Sequence, residues 1–98
     1  MRKFLIFFLL AVALLSGCVQ EKKEVKVGVL VPETGTFSTA GVGMKNAAEL
    51  ALKHVKELGL AKGHDIKLVF ADCGSTPEQA KAAFMQLASQ GVVAIVGA

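Results

Sequence analysis

Hydrophobic and polar positions fall into blocks of different period along this chain. Phe4 to Leu15 is an unbroken apolar run. Val19 to Glu24 is polar and without period, which predicts a solvated tether and a fold that begins at Val25. Val25 to Val31 (VKVGVLV) is rich in β-branched residues and almost continuously apolar, the pattern of a strand buried on both faces of a parallel sheet. Pro32 ends it, because proline has no N–H to give to a ladder. A hydroxyl-rich loop, Pro32 to Ala40, leads to a helix predicted from about Gly41 to Leu58. Met44, Ala47, Ala48, Ala51, Leu52 and Val55 form one stripe of a 3.6-residue period. Lys45, Glu49, Lys53 and Lys56 occupy the other face, with Glu49 and Lys53 in the favourable i,i+4 order. Gly59 is placed to stop the helix.

The alternation then repeats. Gly63-His64-Asp65 reads as a turn and Ile66 to Ala71 as a second strand. Asp72 to Ser75 is a loop. Thr76-Pro77-Glu78-Gln79 is a strong helix start, with Thr76 as N-cap, Pro77 at the first position and Gln79 closing a capping box. Ala80, Ala83, Phe84, Leu87 and Ala88 form the buried stripe, and Gly91 ends the helix. Val92 to Val96 is a third strand of buried type. The resulting order is βαβαβ. Right-handed crossovers then require a parallel sheet with helices on its faces, so the fold class is α/β, a βαβαβ portion of a doubly wound parallel sheet.

Length and composition add an address. With 98 residues, 53% of them hydrophobic, the chain holds one small domain at most. Arg2 and Lys3 precede the first apolar run and Ser16-Gly17-Cys18 follow it, the arrangement of a secretory signal peptide over residues 1–17. Twelve apolar residues rise only about 18 Å as a helix, short of a hydrocarbon core of roughly 30 Å. Leu15-Ser16-Gly17-Cys18 resembles the lipobox of bacterial lipoproteins. That resemblance implies that Cys18 becomes the first mature residue and carries a lipid, with residues 18–24 as tether and 25–98 as the folded part. Ordinary cleavage, with Cys18 an incidental thiol, is the alternative.

Removing the leader also changes the charge. Two of the 11 basic residues lie in it, which leaves nine against eight acidic residues, a net charge of +1. No basic patch points to nucleic acid. With Cys18 lipidated, Cys73 has no partner for an intrachain disulfide.

Ligands of open α/β sheets bind at the carboxyl ends of the strands. Here those ends are Pro32 to Ala40, Asp72 to Ser75, and Gly97-Ala98. The candidate ligand-binding residues are Thr34, Ser38, Thr39 and Ala40, as one wall of a small-molecule cleft beside a helix N-terminus. The competing reading makes Ser38 or Thr39 a helix cap. Gly41-Val42-Gly43 lacks the third glycine and the tight turn of a dinucleotide fingerprint, and there is no P-loop. Asp72 is expected to fix a turn. Cys73 has no base beside it: His54 and His64 lie near the other end of the second strand and are expected at the surface. Met44 and Met85 are expected to pack. No metal, cofactor or catalytic set emerges, so no enzyme is expected.

Several of these pieces, in this order, resemble a known family. VKVGVLVP leads to Thr34-Gly35, and Gly41 follows. AAELAL lies in the first helix. A Gly63 turn precedes IKLVFAD, Pro77 and Ala80 open the second helix, and VVAIVGA closes the third strand. Over residues 25–98 this is similar to the start of the branched-chain amino acid binding proteins, the type I periplasmic solute-binding family of ABC importers. The resemblance implies the first part of the N-terminal lobe of a two-lobed protein. It further implies an amino-acid-like ligand between the lobes and a permease in the membrane as partner; with the leader, the expected location is exported, lipid-anchored to the outer face of the cell membrane or periplasmic. In that family the residue before the glycine matching Gly41 contacts the ligand. That residue is Ala40 here, where some amino-acid binders carry an aromatic ring. Family members are several times longer, so the chain reads as a truncated opening portion and is not expected to bind an amino acid alone. A small membrane-anchored lipoprotein with a structural or interaction role is the alternative. An exported α/β enzyme is a third reading, which lacks its nucleophile elbow.

Overall fold

A computed structural model of the chain describes residues 1–15 and 22–97. Its elements are α1 (Arg2–Leu15), β1 (Lys23–Val31), α2 (Ser38–Glu57), β2 (His64–Asp72), α3 (Pro77–Ser89) and β3 (Ala94–Gly97). The first apolar run forms α1. No described helix is long and apolar enough to cross a membrane.

The three strands make one parallel sheet in the order β2-β1-β3. β1 pairs with β2 from Lys23↔His64 to Val31↔Asp72 and with β3 from Val27↔Ala94 to Leu30↔Gly97. β1 is therefore central, and its carboxyl half, Val29 to Val31, is buried. The chain moves to one side of β1 and then crosses to the other. Right-handed crossovers put α2 and α3 on opposite faces in that order of strands. Side-chain alternation divides the core accordingly. Leu30, Ala71 and Cys73 meet Ala83 and Leu87 of α3 in one cluster, with Val69, Ala80, Val92 and Ile95 packed against it. Val29 and Val31 turn to the other face, where α2 lies against β1. Complete burial of Leu87 alone is worth roughly 1.5–3 kcal/mol.

The helix ends follow local rules. Thr76 Oγ1 accepts from the Gln79 N–H at 3.3 Å, and Pro77 occupies the first turn. Gln79 does not close a capping box on Thr76. Its Oε1 reaches one residue further and accepts from the Ser75 N–H at 3.2 Å. After α2, Gly59 takes φ +66°, and the Gly59 and Leu60 N–H groups bond to the Lys56 and Val55 carbonyls, a Schellman stop.

Several sequence expectations are corrected. β1 begins at Lys23, not Val25, because β2 itself begins at His64 and supplies partners for Lys23 and Glu24. Of the predicted Gly63-His64-Asp65 turn, His64 and Asp65 are strand. α2 begins at Ser38, not Gly41, and Phe37 is its N-cap without a side-chain cap. Neither Ser38 nor Thr39 caps it. The Phe37 N–H instead finds Ser75 Oγ, 38 residues away, at 3.1 Å.

The buried stripes are also narrower than predicted. On α2, Met44, Ala48, Leu52 and Val55 are half-buried while Ala47 and Ala51 are exposed. Lys53 pairs with Glu57 at 3.8 Å, rather than with Glu49. On α3, Phe84, Met85 and Ala88 are exposed, because the helix lies against β1 and β2 and these positions turn away from both. β3 starts at Ala94 and is not of buried type: Val96 within it is exposed, as is Val93 just before it, and the strand pairs with β1 alone at the edge of the sheet. His54 and His64 are at the surface as expected.

Candidate functional site

The carboxyl ends of β1 and β2 deliver two loops side by side, each leading into a helix. Gly41 sets how closely the first helix can return. A side chain there would meet the Pro32 carbonyl, so the first turn of α2 rests directly on the end of β1. Between the loops lies a cavity of about 390 Å³. Phe37, Ala40 and Met44 line it from the first loop and α2, and Ser75, Pro77 and Ala80 from the second loop and α3. The buried Pro32 and Cys73 also line it. The volume suits a small molecule and the lining is chiefly apolar, as small-molecule sites are.

A polar cluster joins the two loops beside this cavity. Asp72 Oδ1 accepts from the backbone N–H groups of Glu33 (2.9 Å), Thr34 (3.3 Å) and Gly74 (2.8 Å). Its Oδ2 accepts from Thr34 Oγ1 at 2.7 Å. The Thr34 hydroxyl, then the Gly74 backbone, hold the Asp72 carboxyl below the ordinary aspartate range, with the Glu33 and Thr34 amides adding to them. Ser75 Oγ donates to the Thr34 carbonyl and accepts from the Phe37 N–H, both at 3.1 Å. Gly35, at φ +87°, allows this approach: a Cβ there would stand 2.5 Å from Ser75 Oγ. On the outer side Lys45 Nζ donates to Glu33 Oε1 at 2.8 Å and lies 5.0 Å from the centre of the Phe70 ring. Hydrogen bonding to Glu33, then its charge, raises the Lys45 pKa.

The four candidate binding residues do not converge. Ala40 lines the main cavity. Ser38 lines a separate hollow of about 220 Å³ with Glu33, Gly41 and Lys45. Thr34 lines another, of about 240 Å³, with Asp72, Gln79 and Gln86, and its hydroxyl proton is given to Asp72. Thr39 is exposed and lines none of the three. Asp72 fixes the turn, as expected, and also holds the neighbouring loop. The remaining candidate, Cys18, lies outside the described residues. Sequence reasoning missed Phe37 and Ser75. Phe37 was findable as the one aromatic residue in the first loop, and it brings a ring to the cavity that Ala40 lines. Ser75 carried no local signal, because both its partners are distant in sequence. Among the described residues no group of three or more His, Cys, Asp and Glu side chains is placed to hold a metal.

Comparison with known proteins bears on this arrangement. The chain is 32% identical over 74 residues to Leu/Ile/Val-binding protein homolog 3 of Brucella melitensis biotype 1. It is 31% identical to Leu/Ile/Val-binding protein homolog 1 of Brucella abortus strain 2308 and 27% identical to Leu/Ile/Val-binding protein BraC3 of Rhizobium johnstonii, again over 74 residues. Each match covers 76% of this chain and 20% of the relative. The chain thus spans about a fifth of the length of the curated relatives it matches. No solved structure matches it significantly. The model of the periplasmic binding proteins, solute-binding proteins rather than enzymes, matches residues 24–98. The stretch that builds the sheet, both loops and the cavity is the stretch matched, and the chain belongs to the periplasmic binding protein family.

Proposed function

We propose that this chain supplies one wall of the ligand cleft of an extracytoplasmic solute-binding lipoprotein, which serves an ABC importer for branched-chain or related small amino acids or amides. The observation that carries the reading is the match of residues 24–98 to the periplasmic binding proteins, together with matches over 74 residues to proteins named for binding leucine, isoleucine and valine. The apolar cavity between the first loop and α3 supports it, because an aliphatic side chain needs an apolar seat at the carboxyl ends of the strands. In this proposal Phe37 and Ala40 face the ligand, Thr34 serves the loop that carries them, and Ser38 and Thr39 stand at the edge of the wall. Groups for the α-carboxylate and α-ammonium come from the part of such a protein that this chain does not span. The proposal includes residues 1–17 as signal peptide, a lipid on Cys18, a tether to Glu24, and a membrane permease as partner.

A chimera tests the reading. The 74 matched residues of Brucella melitensis Leu/Ile/Val-binding protein homolog 3 are replaced by their counterparts from this chain. Calorimetric titration with leucine, isoleucine and valine should give saturable binding within about tenfold of the parent affinity, a difference of about 1.4 kcal/mol. A folded chimera that binds none of the three refutes the proposal.

A further inference from the structure

We propose that Asp72 and Ser75 are positioning residues: together they clasp the first loop, so that the Phe37–Ala40 wall of the cavity is set from the second loop. The inference rests on the function proposed above for that wall. Its physical basis is where the bonds of the segment from Glu33 to Phe37 go. Its local bonds are few: the Glu33 N–H to the Val31 carbonyl at 3.1 Å, the Ser38 N–H to the Gly35 carbonyl at 3.2 Å, and the Ala40 N–H to the Phe37 carbonyl at 3.0 Å. The Glu33–Lys45 pair ties one side chain to α2. Everything else that fixes the backbone comes from two side chains across the sheet end. Asp72 holds the amides of Glu33 and Thr34 and the Thr34 hydroxyl; Ser75 holds the Thr34 carbonyl and the Phe37 amide.

The two halves of the clasp are coupled through Thr34. Asp72 grips its amide and hydroxyl while Ser75 grips its carbonyl. Loss of Asp72 should therefore loosen Phe37, which Asp72 does not touch. Bonds to a carboxylate are about twice as strong as neutral ones, so the ionised form carries the effect. The titratable side chains on the surrounding elements are Glu33 and Lys45, paired with each other, Cys73 next in the chain, and Glu78 in the first turn of α3. The Asp72 carboxyl is depressed in the folded chain, chiefly by Thr34 and Gly74. Its contribution is then complete above the ordinary aspartate range and is lost as pH falls through the depressed value.

The test is amide hydrogen exchange on the full chain in mild detergent, expressed as protection relative to intrinsic exchange from neutral pH to about pH 2. In the unsubstituted protein, Thr34 and Phe37 should lose protection together below the ordinary carboxylate range, while Glu33 keeps its bond to the Val31 carbonyl. The Cys73 amide, bonded to the Val31 carbonyl at 3.0 Å, should stay protected and reports the sheet. Asp72→Ala should cut protection at Phe37 by about tenfold at neutral pH. Asp72→Asn keeps an acceptor without the charge and should flatten the pH profile. Ser75→Ala should expose Phe37 and leave Gly74 protected. Loss confined to Gly74 in Asp72→Ala overturns the clasp. If Asp72→Ala also loses the Cys73 amide, the pH profile of the unsubstituted protein decides, and a profile without the acid step overturns it. No amino acid enters the measurement, so a chimera that fails to bind leucine would sink the proposed function and leave this result standing.

Discussion

Gly28 and Leu87 should be energetically coupled, and the coupling measures how β1 and α3 fit. Leu87 has no exposed surface, and it packs over a glycine in the central strand. A Cβ at Gly28 would stand 3.0 Å from Leu87 Cδ1, 3.4 Å from Leu87 Cβ and 3.3 Å from Ile95 Cγ1. Leu87→Ala removes buried methyl groups and leaves a cavity, at a cost of about 3 kcal/mol. For a domain this small, whose stability is on the order of 5 kcal/mol, that is most of the margin. Gly28→Ala alone forces Leu87 to shift a few tenths of an ångström, costing about 1 kcal/mol. Its restriction of the unfolded chain returns roughly 0.4–1 kcal/mol, so the net change is small. In the Leu87→Ala background the obstruction is gone and the new methyl group fills part of the hole, worth about 0.8 kcal/mol. There Gly28→Ala should stabilise by about 1 kcal/mol, with Ile95 limiting the gain. The coupling of about 1–2 kcal/mol exceeds the roughly 0.3–0.5 kcal/mol scatter of independent sites. Urea unfolding of the four proteins, followed by far-ultraviolet circular dichroism, measures it. Equal effects of Gly28→Ala with and without Leu87 would refute this packing.

The other predictions test the loops and the address. Gly41→Ala drives a methyl group into the Pro32 carbonyl, and thermal melting should show a loss of about 2 kcal/mol, because backbone rather than a side-chain tip must move. Thr76→Ala removes the hydroxyl that holds the Gln79 amide and should cost about 1 kcal/mol in the same assay. In the chimera, Ala40→Trp crowds a cavity of about 390 Å³ and should weaken valine and leucine binding at least tenfold; unchanged affinities would place the ligand elsewhere. Cys18→Ser should move the protein from the membrane fraction to the soluble exported fraction, and mass spectrometry of the unsubstituted protein should find Cys18 multiply acylated, since one chain anchors weakly.

The order of elements was legible because each signal was local. A β-branched run, a 3.6-residue stripe, Pro77 after Thr76, and Gly59 at a helix end depend on neighbours in the chain. What failed were statements about surroundings. Val92 to Val96 has the composition of a buried strand, yet Val96 is 60% exposed, because burial belongs to the neighbours a strand has and not to its own residues. Phe84 fits a helical stripe by spacing, but α3 meets only two strands and leaves that position outside. Ser38 starts α2 although no side chain caps it, because the partner of the Phe37 amide comes from Ser75 across the sheet end.

The same distinction separates where the site is from which residues form it. Strand order places ligands at the carboxyl ends of a doubly wound sheet, and a cavity is there. Within that place, hydroxyls were the natural candidates, since a polar loop beside a helix N-terminus resembles a set of ligand donors. The fold uses one of those hydroxyls itself, that of Thr34, and its backbone with it. The Thr34 hydroxyl goes to Asp72, its carbonyl to Ser75, and its amide to Asp72 again. A parallel sheet has no hairpins to fix the loops at its carboxyl ends, so adjacent loops must fix one another with whatever polar groups they carry. Two of the residues that the first loop and the start of α2 bring to the cavity are then ones a polarity reading passes over: Phe37, with 62% of its surface exposed at the end of the loop, and the small Ala40 three residues on, which leaves room beside it.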